Sequence, residues 1–329
     1  MSAAGPTDQQ CVEAATQVAP EFGLAPTKVR IISRSENVVC ALTLPSGDQV
    51  IMRLHRPGYN TLAEMESEVQ WVQALSDAGV PVPHAIPTRA GPFYTAANVG
   101  AETRYVGVVS WVDGEPLGDA TSASGVDIVN FYAHIGTVAA QIRVQSETWQ
   151  RPAHFARRSW DANGLVGDDP LWGRFWEVES LTAEQRQTFT MCRDALRSEL
   201  QLLPVTPEHY GLIHADLHPG NLLASGDQLT VIDFDDAGFG WFEHELAVAL
   251  HPVLNEPWEP QARAALLQGY RDVHSLTARS EALIDTFVTV RCLMLVSWLE
   301  ARPELRTPEF LDDLVSEAHA VATWYLARQ

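Results

Sequence analysis

The chain has 329 residues, of which 46% are hydrophobic and 19% charged, and its formal net charge is −20 at pH 7. This length allows two domains that each bury a core, whereas the acidic balance argues against nucleic acid as a partner, because phosphate binding needs clustered Lys and Arg. The sequence shows neither a run of about 20 apolar residues nor a secretory signal within Met1–Gln10, so we expect a cytoplasmic protein without a membrane partner.

The first third of the chain combines strands with helices. A short helix is predicted over 7–19, and a second helix over 61–78 begins at Thr61, with Glu64 placed to complete a capping box. Apolar and β-branched residues predict strands at 28–33, 37–44, 49–54 and 103–112. The stretch 80–100 is rich in Pro, Gly and Ala and carries no strand prediction. These elements predict a small mixed α/β lobe.

From residue 112 onward most of the chain has helical periodicity. Helices are predicted over 126–144 and 182–203, and three or more follow between 242 and 328. Strand signals are confined to 212–214 and 229–234. The sequence therefore predicts an α+β fold in which residues 1–111, with a connector from about 109, form a nucleotide-binding lobe and 112–329 form a larger, mainly helical lobe.

The four cysteines, Cys11, Cys40, Cys192 and Cys292, are widely spaced and include no C-x-x-C pair. This spacing argues against a disulfide framework or a structural zinc motif. We expect buried free thiols.

Two segments carry the chemistry. Residues 211–223 are Gly-Leu-Ile-His-Ala-Asp-Leu-His-Pro-Gly-Asn-Leu-Leu, and 229–238 are Leu-Thr-Val-Ile-Asp-Phe-Asp-Asp-Ala-Gly. Phosphoryl transfer needs a carboxylate near the acceptor hydroxyl, and Asp216 is the candidate. Mg²⁺ prefers oxygen ligands, which Asn221 and Asp233 can supply. A hairpin around Ser225-Gly226-Asp227 is expected to return Asp233 to the loop.

These segments resemble the aminoglycoside phosphotransferase and choline kinase superfamily, in particular the branch of type II homoserine kinases and the bacterial stress-response kinase. The superfamily is related to protein kinases, whose His-Arg-Asp…Asn and Asp-Phe-Gly elements fill the same roles. The resemblance implies a bilobal protein-kinase-like fold that uses Mg²⁺ and ATP, with GTP as an alternative.

Carried over position by position, the resemblance makes Asp216 the catalytic base and Asn221 and Asp233 the metal ligands. Asp235 is a weaker candidate for a second metal or for support of the first. His214 is expected to brace the loop.

Two further positions in this half follow from the resemblance. His218 is expected to help shape the acceptor site. Glu245 stands where the family has an aspartate that supports the catalytic loop, and a plain solvated helix acid is the alternative for this longer side chain.

The first lobe should supply a cation for the nucleotide phosphates. Arg53 stands where related kinases have a strand lysine, since the only lysine, Lys28, lies too early in the chain. A forked guanidinium is not equivalent to a point charge. Glu68 is the expected partner of Arg53, with Glu64 as the alternative.

The remaining nucleotide contacts are expected at two places. The loop 33–37 lacks the glycines of a phosphate-covering loop, so Ser35 and Asn37 either contact phosphate or belong to an ordinary turn. Ser110, Trp111 and Val112 fall at the connector, where the resemblance places adenine.

The acceptor is expected to be a small-molecule hydroxyl, on an amino acid, an amino alcohol or an antibiotic. Three alternatives stay open: a protein serine/threonine kinase of the stress-response type, a regulatory ATP-binding pseudokinase, and a zinc hydrolase using His214, Asp216 and His218. The Trp- and Arg-rich stretch 149–179 is either a recognition insert or ordinary packing. The acidic residues near the end (Glu300, Glu304, Glu309, Asp312 and Asp313) either attract an amine or form a solvated face.

Overall fold

The fold is that of a computed structural model, which describes residues 5–35, 37–117, 128–226, 228–303 and 305–329. Glu36, the predicted helix start at 126, Asp227 and Glu304 lie outside these ranges. The described chain forms two compact units. The first is drawn from residues 1–114, 151–156 and 223–235, and the second from 115–150, 157–222 and 236–329.

The first unit is built on an antiparallel sheet. Its strands are β1 (Lys28–Arg34), β2 (Val38–Thr43), β3 (Gln49–Leu54), β4 (Ala85–Ile86), β5 (Tyr94–Val99) and β6 (Glu102–Ser110). Their order is β1-β2-β3-β6-β4, and β5 also pairs with β6. Helix α1 (Asp8–Val18) buries Cys11 and Ala15 in the same core as Cys40 and Met52 of the sheet. This packing removes one face of the sheet from water.

Helix α2 (Leu62–Asp77) begins as predicted. Thr61 Oγ1 accepts from the Glu64 backbone N–H, and the Glu64 carboxylate accepts from the Thr61 N–H, which closes the capping box. Trp71 of this helix is fully buried and meets the Phe234 ring edge-on at 5.7 Å. The helix is thereby tied to the second of the two sequence motifs.

The hairpin of β10 (Leu222–Ser225) and β11 (Gln228–Val231) contributes to the first unit from Leu223 onward. Val231 N–H donates to Pro81 O at 2.9 Å. Residues 151–156 also join this unit, since Ala156 N–H donates to Ser67 Oγ at 2.9 Å. The first unit thus combines three stretches of chain and extends to Gly114, whereas the predicted lobe 1–111 was a single stretch.

The second unit is mainly helical. Its helices are α3 (Ile128–Thr148), α4 (Ala162–Val166), α5 (Ala183–Leu200), α6 (Phe242–Leu250), α7 (Glu259–Arg271), α8 (Ala278–Glu300) and α9 (Pro308–Leu326). Its strands are β7 (Glu115–Pro116), β8 (Ser159–Trp160), β9 (Tyr210–Ile213) and β12 (Gly238–Trp241), of which the last three pair in the order β8-β12-β9. The predicted division into a sheet-rich first part and a helical second part is confirmed.

Helices α3 and α7 approach each other through glycine. A Cβ on Gly136 would lie 1.9 Å from Leu266 O, and one on Gly269 would lie 1.8 Å from Ala133 O. No side chain fits at these distances, so the two glycines permit backbone contact between the helices.

Helix α8 is the one helix among the described residues that is long and apolar enough to cross a membrane. Its length and composition would suit a membrane span, but 72% of its most apolar window is buried inside the unit. The helix therefore serves as the core helix of the second unit.

The sequence patterns missed five strands, of which β4, β7 and β8 are two residues long and β5 and β12 are longer. Strand β5 reads Tyr-Thr-Ala-Ala-Asn-Val, and its central residues have low strand propensity. Strand β12 reads Gly-Phe-Gly-Trp, and glycine weakens the strand signal. In β5 and β12, hydrogen bonding to a neighbouring strand stabilises a strand whose own residues have low strand propensity.

Candidate active site

The loop after β9 is held by a carboxylate. Glu245 of α6 accepts a hydrogen bond from His214 N–H at 2.6 Å and another from Ala215 N–H at 2.9 Å, one on each oxygen. Glu245 is 2% exposed, so the alternative of a solvated helix acid is wrong. Through these two hydrogen bonds, Glu245 supports the backbone of the loop.

Burial dominates the titration of Glu245. Desolvation raises the pKa of Glu245 to about 8, although the two backbone N–H groups of His214 and Ala215 act in the opposite direction. The protonated form therefore predominates at neutral pH. A neutral carboxyl still offers an acceptor lone pair to each N–H.

Asp216 projects from this loop and has contacts on both oxygens. Arg291 Nη2 donates to Oδ1 at 2.6 Å, and Asn221 Nδ2 donates to Oδ2 at 2.9 Å. The Asn221 amide also donates to the Asp216 backbone carbonyl at 2.9 Å, and His218 Nε2 lies 3.5 Å from Oδ2. The carboxylate is therefore fixed in one orientation while its side chain remains 20% exposed.

These contacts keep Asp216 ionised. Burial alone would raise its pKa, but the electrostatic influence of His218 and Arg291 outweighs burial and holds the pKa below its usual range. Such a carboxylate is a weak base. It suits a reaction that needs a hydroxyl to be oriented more than deprotonated, as phosphoryl transfer does.

Arg291 was not predicted from the sequence. It lies within α8, is 5% exposed, and its guanidinium stands 4.9 Å above the Trp172 ring. An arginine in the middle of Val-Thr-Val-Arg-Cys-Leu-Met-Leu is the available signal, because a buried charge needs a partner. The partner, Asp216, lies 75 residues earlier, and no local pattern connects them.

The two histidines of the motif differ in exposure. His214 is completely buried, and its Nδ1 accepts from Asp216 N–H at 3.3 Å, which is the geometry of a brace. His218 has a side chain that is 32% exposed, and its Nδ1 accepts from Gly220 N–H at 3.0 Å. Its other nitrogen faces Asp216, so His218 lies beside the expected acceptor position.

In the first unit, Arg53 of β3 meets the second motif. Its Nη2 lies 2.5 Å from Asp233 Oδ1 and 3.2 Å from Asp235 Oδ1. Burial opposes the charge on Arg53, but the carboxylates of Asp235, Asp233 and Glu68 outweigh it and raise the pKa. Arg53 therefore stays charged, and the buried Glu68 contributes to its electrostatic environment. Glu64 is engaged in the helix cap.

Asp235 is an internal anchor. It is 5% exposed, its Oδ2 accepts from Asn37 Nδ2, its Oδ1 forms an ion pair with Arg53, and its backbone carbonyl accepts from Asn60 Nδ2 at 3.0 Å. Asp233 is more accessible, with 45% of its side chain exposed. Of the two carboxylates, Asp233 is the better placed to receive a ligand from solvent.

Ser35 and Asn37, which precede β2, make internal contacts. Ser35 N–H donates to Asn37 O at 3.2 Å, and Asn37 is 4% exposed. The Asn37 side chain is committed to Asp235 and to Arg56 N–H, which donates to Oδ1 at 3.0 Å. The expected phosphate contact of Asn37 is therefore corrected to an internal structural contact.

Ser110 and Val112 lie in the wall of a cleft of about 530 Å³ in the first unit. Other walls come from residues 79–82 and from Gln228 and Thr230. Ser110 Oγ accepts from His84 N–H at 2.9 Å, so the connector is anchored to the chain that follows α2.

The residues assigned to a metal have suitable chemistry. Asn221 uses its amide nitrogen for both bonds to Asp216, which leaves Oδ1 as a ligand atom. Asp233 supplies a partly exposed carboxylate. Hard oxygen donors of this kind fit Mg²⁺.

The structure thus gathers the predicted residues into two groups. The second unit brings together Asp216, Asn221, His214, His218 and Glu245, and the first unit brings together Arg53, Asp233, Asp235 and Asn37.

Comparison with known proteins identifies relatives of this chain. The family model described as "Phosphotransferase enzyme family" matches residues 28–283. Amicoumacin kinase of Bacillus subtilis (strain 168) is 24% identical over 302 residues, which covers 88% of this chain and 85% of that protein.

Two solved structures extend the likeness over nearly the whole chain. The microcompartment-associated aminopropanol kinase has a TM-score of 0.85 and 32% identity, covering 96% of this chain and 98% of that one. Amicoumacin kinase hAmiN, solved with AMP-PNP, Ca²⁺ and Ami, has a TM-score of 0.78 and 20% identity, covering 95% and 94%. The chain belongs to the phosphotransferase enzyme family and, as the motif predicted, is an ATP-dependent phosphotransferase with a kinase-like fold.

Proposed function

We propose that this enzyme transfers the γ-phosphate of ATP to the hydroxyl of a small amino alcohol in the presence of Mg²⁺. The observation that carries the chemistry is the geometry of Asp216, whose two oxygens are fixed by Arg291 and Asn221 on a buried, braced loop. The acceptor class rests on the 32% identity, over nearly the full length of both chains, to a protein described as an aminopropanol kinase.

Asp216 orients the acceptor in this proposal. The ionised carboxylate accepts a hydrogen bond from the substrate hydroxyl and aims its oxygen at the γ-phosphate. Because its pKa is held low, it takes the proton late, when the new P–O bond has made the hydroxyl acidic. The loop contacts of Glu245 preserve this aim.

In this proposal, Arg53 and a magnesium ion neutralise the charge of the nucleotide phosphates. Arg53 remains charged and provides a cation for the phosphates. Asn221 and Asp233 would hold Mg²⁺, which supplies charge neutralisation for the phosphate oxygens. The net charge of −20 suits a cationic acceptor.

The test is acceptor-stimulated ADP release with Mg²⁺. The acceptors are 1-amino-2-propanol, ethanolamine, choline, homoserine, threonine, an aminoglycoside and a generic protein substrate, each with ATP and with GTP. We expect the largest kcat/KM with a short amino alcohol and ATP. Asp216→Asn should lose at least about 1,000-fold in kcat, since it removes the oriented acceptor oxygen.

The matched control is Asp194→Asn, which changes a carboxylate 58% exposed on α5 and should leave the rate unchanged. Preferred turnover of the protein substrate would replace the proposal with a protein kinase. Nucleotide binding without turnover of any acceptor would favour the regulatory pseudokinase, and full activity of Asp216→Asn would overturn the assigned role.

A further inference from the structure

A second cluster of ligating side chains lies in the second unit, apart from the residues assigned to phosphoryl transfer. His251 follows α6, Cys292 is on α8 and Glu317 is on α9. Their ligand atoms all lie within 4.8 Å of one another. Cys292 is 1% exposed, and the side chains of His251 and Glu317 are 15% and 20% exposed.

His251 and Glu317 are in close contact but do not form a hydrogen bond. His251 Nε2 lies 2.9 Å from Glu317 Oε1, yet this nitrogen has no hydrogen-bond partner among the described residues. The ring nitrogen and the carboxylate oxygen are therefore close together without a well-directed hydrogen bond between them. Two ligands of one cation have this arrangement, because both lone pairs point at the ion.

The other contacts fix the carboxylate in this position. Asn255 Nδ2 donates to Glu317 Oε2 at 2.5 Å, which leaves Oε1 directed toward His251. The Cys292 sulfur lies within 4.8 Å of a Glu317 carboxylate oxygen. A second hydrogen-bond partner that orients a ligand is a usual feature of metal sites.

We propose that His251, Cys292 and Glu317 form a binding site for a zinc-type divalent cation, with water as the fourth ligand. One imidazole nitrogen, one sulfur and one carboxylate oxygen match the donors that Zn²⁺ takes in a tetrahedral site. Mg²⁺ disfavours sulfur and nitrogen, so this site is distinct from the oxygen site proposed for the nucleotide metal.

Binding couples the cation to the thiol. Burial raises the pKa of Cys292, so the free thiol keeps its proton at neutral pH. Coordination replaces the S–H bond with a bond from sulfur to the cation and releases one proton to solvent.

The position suggests that the cation acts as a clamp. Cys292 directly follows Arg291, which contacts Asp216, and His251 directly follows α6, which carries Glu245. A cation at this position would join the end of α6 to the middles of α8 and α9. Of these three helices, α6 and α8 support the catalytic loop. The cation would stabilise the second unit without entering the reaction.

The first test is zinc binding in the presence of excess Mg²⁺. Protein cleared of metal with a chelator is titrated with Zn²⁺, and bound metal is measured by elemental analysis after dialysis. We expect one Zn²⁺ per chain and a higher Tm on loading. Co²⁺ in its place should give a thiolate-to-cobalt charge-transfer band.

Variants show whether the bound metal lies in this cluster or at another site of the protein. Cys292→Ser should remove the cobalt band and weaken Zn²⁺ binding at least about tenfold, and Glu317→Gln, which preserves volume on a partly exposed side chain, should weaken it similarly. Cys192→Ser changes another buried thiol and should retain both signals.

Zinc binding that is absent, or that is unaffected by both Cys292→Ser and Glu317→Gln, would overturn the proposal. Zinc lost on replacing His218 instead would assign the metal to the catalytic loop. Amino alcohol turnover in the Mg²⁺ assay is a separate measurement, so failure of either proposal leaves the other standing.

Discussion

Left-handed backbone occurs at functional positions in both motifs. Among the described non-glycine residues, Ala215 and Asp233 have positive φ, each at 65°. This conformation costs an L-residue about 1 kcal/mol. Ala215 directly precedes Asp216, and the two hydrogen bonds to Glu245 hold the strained peptide in place. The left-handed conformation of Ala215 turns the chain so that Asp216 can contact Arg291.

Arg291 offers a direct test of how Asp216 is positioned. In Arg291→Lys, a single ammonium cannot both pair with Asp216 Oδ1 and cover Trp172. We expect kcat to fall by about 10- to 100-fold, with the KM for ATP changed less than about threefold, because the contact is with the carboxylate and not the nucleotide. Steady-state kinetics measure kcat and the KM for ATP separately, and thermal unfolding checks that the variant is folded. A kcat within twofold of the wild type would contradict this role.

The buried carboxyl of Glu245 predicts a pH dependence of stability. Its folded pKa of about 8 exceeds the unfolded value, so its contribution is complete below about pH 4.5 and is lost as pH rises through 8. Glu245→Gln does not titrate. The free energy of unfolding of the wild type, relative to this variant, should therefore fall by about 3 kcal/mol between about pH 5 and 8. Urea unfolding at both pH values measures it, and a constant difference would contradict the assignment.

Sequence reasoning found the residues whose partners are close in the motif. Asp216 and Asn221 are five positions apart, and their hydrogen bond follows from one loop. Arg291 was not identified, and the contact of Asn37 was not foreseen, for the same reason. The partner of Arg291 is distant in sequence, and Asn37 is engaged by Asp235, 198 positions away, so neither role leaves a local pattern.

At the scale of elements, starts of helices were predictable because their chemistry is local. The capping box at Thr61 forms as expected, and Thr182 begins α5 with another. Helix α5 ends at Leu200, three residues before the predicted end. Strands β5 and β12 depend on pairing and could not be read from their own residues.

Helix packing gives a prediction at this scale. Gly136→Ala places a methyl group 1.9 Å from Leu266 O, and backbone cannot yield as a side-chain end can. We expect α3 and α7 to separate at a cost of about 3 kcal/mol in the free energy of unfolding. Val144→Ala, at an exposed position of the same helix, should change stability by less than about 0.5 kcal/mol. Equal unfolding midpoints for the two variants would show that the helices are not in backbone contact.

At the scale of the whole molecule, charge distinguishes the two substrates. A protein of net charge −20 attracts a cationic amino alcohol and repels a nucleotide triphosphate, and salt screens both effects. Raising ionic strength from about 20 to about 300 mM should therefore lower kcat/KM for the amino alcohol severalfold and raise it for ATP. A neutral diol of similar size, used as the acceptor, should show little salt dependence. If the amino alcohol and the diol respond alike, the acceptor's charge does not contribute to recognition, and the preference for an amino alcohol must come from shape and hydrogen bonding alone.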